Sequence, residues 1–126
     1  MGLVGIVLVS HSEQLASGLR DLVSQVAPAV PIVAAGGTDD GGLGTSYDRI
    51  SAALASADNG AGVVVLADLG SAVLTARAVL DDAPGPVLVD APFVEGAVAA
   101  AVTASTGAGL DDVVAAAGEA RDVPKF

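Results

Sequence analysis

The chain of 126 residues is 52% hydrophobic, carries a formal net charge of −10 and holds neither cysteine nor tryptophan. That length suits one domain, residues 1–126, with a sizeable core. Disulfides, thiolate nucleophiles and cysteine-based metal sites are excluded. With 2% aromatic residues and so negative a charge, neither nucleic acid nor an anionic membrane is an expected partner.

The opening stretch "MGLVGIVLVSHSE" lacks the basic region of a signal peptide, and no apolar run approaches the roughly 20 residues of a bilayer span. A cytoplasmic protein is the expectation. Val4 to Ser10 is nearly continuous apolar sequence, as in a parallel strand covered on both faces. Leu15, Leu19, Leu22, Val23 and Val26 then recur at helical spacing, and Pro28 and Pro31 end that helix. Ile32 to Ala35 reads as a second strand, followed by the Gly-rich loop "GGTDDGGLGTS" from Gly36 to Ser46.

A helix beginning near Thr45 or Ser46 carries Tyr47, Ile50 and Leu54 on one side. Val63 to Ala67 forms the third strand, ending in "DLGS", and Ala72, Ala76, Val79 and Leu80 continue as helix. Val87 to Val89 is the fourth strand. The Ala-rich remainder is helical from Val94, broken at "STGAG" and resumed at Leu110; the tail "RDVPKF" frays or adds a small edge strand. This alternation predicts an α/β fold: an open, mainly parallel four-stranded sheet of order 2-1-3-4, with helices on both faces.

Ligands of such sheets bind beyond the carboxyl ends of the strands, where strand order reverses. The first strand delivers Ser10, His11 (the only histidine) and Ser12; the second delivers the loop Gly36 to Ser46, the third Asp68, Gly70 and Ser71, and the fourth Asp90 to Phe93. A carboxylate that accepts from one imidazole nitrogen fixes the tautomer and frees the other nitrogen as a nucleophile. Helices starting after Ser12, Ser46 and Ser71 would aim free N–H groups at the same spot, and glycines there let backbone approach a phosphate. Together these suggest a phosphohistidine site. Position alone leaves His11 open between a nucleophile and a hydrogen-bonded strand end, and the three serines serve equally as helix caps.

The acidic pairs Asp39-Asp40, Asp81-Asp82 and Asp111-Asp112 read as solvated turns or first-turn acids, and none has calcium-loop spacing. No dinucleotide or Walker fingerprint is present. A receiver domain would need acids after the first strand and a nearby lysine, whereas Lys125 in the tail is the only lysine.

The segments "IVLVSHSEQLASGL", "IVAAGGTDDGGLGTS" and "VVVLADLGSAVLTA" together resemble the phosphotransferase subunits of PEP-dependent dihydroxyacetone kinases, within the mannose-type EIIA fold family. The resemblance runs from about Val4 to Val89. It implies that His11 accepts a phosphoryl group from the phosphocarrier HPr and passes it to ADP on the kinase's nucleotide-binding subunit, DhaL. It further implies Asp68 as the residue orienting the imidazole, and Ser12, Gly44, Thr45, Ser46, Gly70 and Ser71 as phosphate contacts. A homodimer is implied too, with no metal or cofactor in this chain; ADP and Mg²⁺ belong to the partner subunit. Mannose-type sugar-transporter domains share the fold and the histidine, but "DLGSA" without tryptophan favours the kinase subunit. A regulatory module that does not pass phosphate on is the other alternative. Some members of this family carry fused HPr-like and Enzyme I-like domains, so this chain is expected to depend on a separate HPr.

Overall fold

The computed structural model describes residues 2–126, so Met1 of the expected domain lies outside the described residues. The first apolar run becomes β1 (Gly5–Ser10), buried along its whole length. β1 sits at the centre of a four-stranded parallel sheet with β2 (Ile32–Gly36), β3 (Val63–Ala67) and β4 (Val87–Leu88), in the order β2-β1-β3-β4. Among the described residues the helices are α1 (Glu13–Val26), α2 (Tyr47–Ala57), α3 (Gly70–Asp82), α4 (Phe93–Ser105) and α5 (Leu110–Glu119). None is long and apolar enough to cross a membrane.

Two cores explain why the inner strands show no alternation of polar and apolar residues. Ile6 and Leu8 of β1 with Val64 and Leu66 of β3 pack against α1, α4 and α5. Val7 and Val9 with Val63 and Val65 pack on the opposite face against Ile50 and Leu54 of α2 and Ala72, Ala76 and Val79 of α3. Side chains along a strand alternate between faces, so a strand buried on both must be apolar throughout. The chain leaves β1 for β2 on one side and returns past it to β3 and β4 on the other. The reversal opens a crevice beyond the ends of β1 and β3.

Three details differ from the sequence expectation. The tail forms a single 3-10 turn, Ala120–Asp122, rather than an extra edge strand. The apolar set of α1 is wider than the face that packs: Leu19 and Val23 are buried, whereas Leu15, Leu22 and Val26 are exposed. Tyr47 likewise lies on the outside, its hydroxyl donating to Asp82, while Ile50 and Leu54 enter the core.

The end of β2 sets where α1 begins. A Cβ on Gly36 would lie 2.5 Å from the Ser12 carbonyl oxygen and 2.8 Å from the Glu13 Cα, both backbone atoms that cannot swing aside. Glycine therefore lets β2 press against the turn that carries His11. Gly36→Ala should cost about 1–3 kcal/mol by overpacking, read as a lower urea midpoint with an unchanged slope; a wild-type midpoint would show that the contact relaxes freely.

Candidate active site

The parallel register continues beyond the paired residues to build the centre of the site. Val9 lies opposite Ala67, and the Asp68 amide donates to the Val9 carbonyl at 3.1 Å. One step further on, Ser10 and Asp68 come opposite each other. Both follow the Ile6–Leu8 and Val64–Leu66 rows by strand alternation, so their side chains share a face. The Ser10 hydroxyl donates to Asp68 Oδ2 at 2.9 Å, and the His11 backbone amide donates to the same oxygen at 3.0 Å.

Asp68 Oδ1 takes two further hydrogen bonds, from His11 Nδ1 at 3.0 Å and from the Leu69 amide at 2.8 Å. The carboxylate is thus saturated with donors on a side chain only 9% exposed. Burial pushes its pKa up. Hydrogen bonds from the His11 amide, the His11 ring and the Ser10 hydroxyl outweigh burial and hold it below the ordinary value for Asp. An ionised carboxylate can only accept, so Nδ1 must carry the proton. Nε2 is left with its lone pair, and the Ser71 hydroxyl approaches it at 2.5 Å as donor.

The three expected helix starts separate into two kinds. The Ser12 hydroxyl accepts from the Leu15 amide at 3.2 Å and the Ser46 hydroxyl accepts from the Arg49 amide at 3.1 Å, so both side chains cap their own helices. Ser46 also donates to Asp39 at 2.5 Å. At α3 the cap position is Leu69, which supplies no side-chain acceptor. The helix therefore starts one residue before Ser71, and its third amide, Ala72, bonds the Leu69 carbonyl at 3.0 Å where a serine hydroxyl serves the third amide of the other two helices. Gly70 has open space around it, with nothing within 4 Å of a built Cβ.

The Gly-rich loop folds down onto the same centre. The Gly44 amide donates to the His11 carbonyl at 2.9 Å and the Gly37 amide to the Ser10 carbonyl at 3.1 Å. Gly44 holds φ at +139°, and a Cβ there would lie 2.8 Å from Thr38 Cγ2, so the approach needs glycine. Thr45 does not reach the imidazole; its hydroxyl meets that of Thr75 at 2.7 Å, one turn along α3 from Ser71. Arg49 anchors the start of the loop, donating to the Gly36 carbonyl at 3.1 Å and facing Glu13 and Asp39 at 3.7 and 3.8 Å.

Sequence reasoning places Ser10 at the strand end beside His11 without giving it a role, and it missed Thr75 and Arg49. Ser10 had a readable signal, a hydroxyl at a position where a doubly buried strand should be apolar. Thr75 stands four residues after Ser71, hence on the same helix face. Arg49 had none, because its partners lie on β2, the loop and α1. Among the described residues, no cluster of three or more histidine, cysteine, aspartate or glutamate side chains is grouped to hold a metal ion.

The lowered Asp68 pKa carries a stability consequence. The folded state binds that proton less tightly than the unfolded chain, so the contribution is fully present above the unfolded value near pH 4. It is lost as pH falls through the lower folded value. Urea melts of wild type and Asp68→Asn should show the wild type ahead at pH 7 and the gap narrowing below about pH 4. A gap constant down to pH 2 would contradict the hydrogen-bonded, ionised carboxylate.

Residues 5–114 match the EIIA-man family, described as the PTS system fructose IIA component. A Listeria innocua protein, "PEP-dependent dihydroxyacetone kinase 1, phosphoryl donor subunit DhaM", is 40% identical over 100 residues, 77% of this chain and 78% of that protein. The Lactococcus lactis "PTS-dependent dihydroxyacetone kinase, phosphotransferase subunit DhaM" is 36% identical over 112 residues, 86% of this chain and 89% of its own length. The crystal structure of EF1359, a protein of unknown function, superposes with a TM-score of 0.84 at 36% identity, covering 94% of this chain and 95% of that one. The chain belongs to the EIIA-man family and is similar, within it, to the DhaM phosphoryl donor subunits.

Proposed function

We propose that this protein is a phosphoryl relay: His11 takes a phosphoryl group from the phosphocarrier HPr and hands it to ADP on the nucleotide-binding subunit of a dihydroxyacetone kinase. The observation that carries the reading is the imidazole itself. Its Nδ1 is tied to Asp68 at 3.0 Å, and its free Nε2 points to Ser71 at the uncapped start of α3. The names of the relatives, phosphoryl donor subunits of dihydroxyacetone kinases, support the same assignment.

In the first half-reaction the Nε2 lone pair attacks phosphorus, and the bond from phosphorus to the donor's histidine nitrogen breaks. In the second, a terminal oxygen of ADP attacks and the bond to Nε2 breaks, leaving His11 neutral again. The proton on Nδ1 stays in place throughout. Asp68 stabilises the positive charge that the ring gains when Nε2 is phosphorylated, and needs no proton transfer to do so. The Ser71 hydroxyl turns from Nε2 to an equatorial phosphoryl oxygen, beside the amides of Gly70 and Ser71. Positioning and charge stabilisation supply most of such a transfer.

The surroundings of His11 suit protein partners. Leu43, Leu69 and Leu74 are 82%, 61% and 68% exposed. Leu43 and Leu69 adjoin Gly44 and Asp68, which contact His11, and Leu74 lies about one helical turn after Ser71. Exposed leucines on the segments that build the site offer apolar surface to a protein partner, which a small soluble substrate would not need.

With PEP, Enzyme I and HPr, the protein should acquire one acid-labile, base-stable phosphate, lost in His11→Ala. Label persisting in that variant would overturn the assignment. Chase of the label into ATP by the ADP-loaded kinase subunit would support the relay, whereas stable retention would indicate a regulatory module. Asp68→Asn should leave a folded protein that transfers roughly 10²-fold or more slowly, since an amide does not enforce the Nδ1–H tautomer. An unchanged single-turnover rate would remove Asp68 from the mechanism.

A further inference from the structure

We propose that Ser10 is a positioning residue for His11, acting through Asp68; this deepens the relay reading and rests on it for its catalytic consequence. Ser10 is fully buried at the end of a strand otherwise made of apolar residues and Gly5. Its hydroxyl oxygen accepts from the Ser12 amide at 3.0 Å, and its single hydroxyl proton goes to Asp68 Oδ2 at 2.9 Å. The direction is forced, because an amide N–H can only donate and a carboxylate can only accept.

The consequence for His11 follows from how Asp68 is held. Its other three donors are the His11 ring, the His11 amide and the Leu69 amide. The first is the group being oriented, the Leu69 amide belongs to the next residue in the chain, and the His11 amide shares Oδ2 with Ser10. Ser10 is the side chain that reaches across from β1 to β3 and fixes the carboxylate plane. Without it, Oδ2 keeps the His11 amide as its one donor, so Asp68 turns more freely about its side-chain bonds and holds Nδ1 less firmly. Free histidine prefers the opposite tautomer, with the proton on Nε2, so a released ring loses its nucleophilic nitrogen.

The test compares Ser10→Ala, Ser10→Thr and wild type in the whole chain. Ring ¹H–¹⁵N correlation spectra of the unphosphorylated protein should show His11 as the Nδ1–H tautomer in wild type and in Ser10→Thr. Ser10→Ala should show a mixture. Single-turnover transfer from phospho-HPr should slow about 10–100-fold in Ser10→Ala at saturating donor, with the half-saturating donor concentration unchanged and most of the rate restored in Ser10→Thr. Should Ser10→Ala not fold, the near-isosteric and weakly donating Ser10→Cys takes its place with the same expectation. A wild-type tautomer in the alanine or cysteine variant, or a threonine variant that behaves like alanine, overturns the proposal. If wild-type protein takes no label on His11, the relay reading fails, while the tautomer spectra still decide what Ser10 does.

Discussion

The Asp68 carboxylate is the joint on which the site depends. It sits just past β3, the strand beside β1, and accepts from Ser10, twice from His11 and from Leu69. A buried carboxylate is costly unless its lone pairs are satisfied, and here each oxygen has two donors. That satisfaction makes the acid tolerable beside the core. It also dictates that the imidazole presents Nε2 outward.

The rest of the fold holds that joint still. Parallel pairing of β1 with β3 sets Ser10 opposite Asp68, and the two hydrophobic layers keep the strands from sliding. A slip of one residue would turn Ser10 to the other face and bury a hydroxyl with no partner. The Gly-rich loop closes over the same point through the Gly44 and Gly37 amides, so this long connection is pinned at the residues that matter. Helix α3 is left with Leu69 where a serine would be more stable, by about 1 kcal/mol for a typical cap. An open helix start at a reactive nitrogen is a local weakness of the kind that functional sites retain.

Much of the fold was legible because it rests on local periodicity. The strand spanning Val63 to Ala67 and the helices after each strand follow from apolar runs, helical spacing and the placement of proline and glycine. What failed was the question of which apolar residues pack. Leu15, Leu22 and Val26 adjoin buried Leu19 and Val23 on the helix, yet stand in solvent because the face that packs is centred on Ala16, Leu19 and Val23, turned away from them. Among the site residues, Ser12 and Ser46 show their capping role in sequence, and the structure adds their acceptor geometry.

Sequence by itself determined the alternating α/β order, the lone His11 after the first strand and Asp68 after the third, because strand ends and helix starts are written in neighbouring residues. Tertiary structure alone decided that Ser10 meets Asp68 across 58 positions of chain, that Nδ1 rather than Nε2 takes the hydrogen bond, and that the start of α3, without a side-chain cap, brings Ser71 to Nε2. Those outcomes depend on the register between two strands and on which atoms fall within 3 Å of each other. No local pattern encodes such a distance.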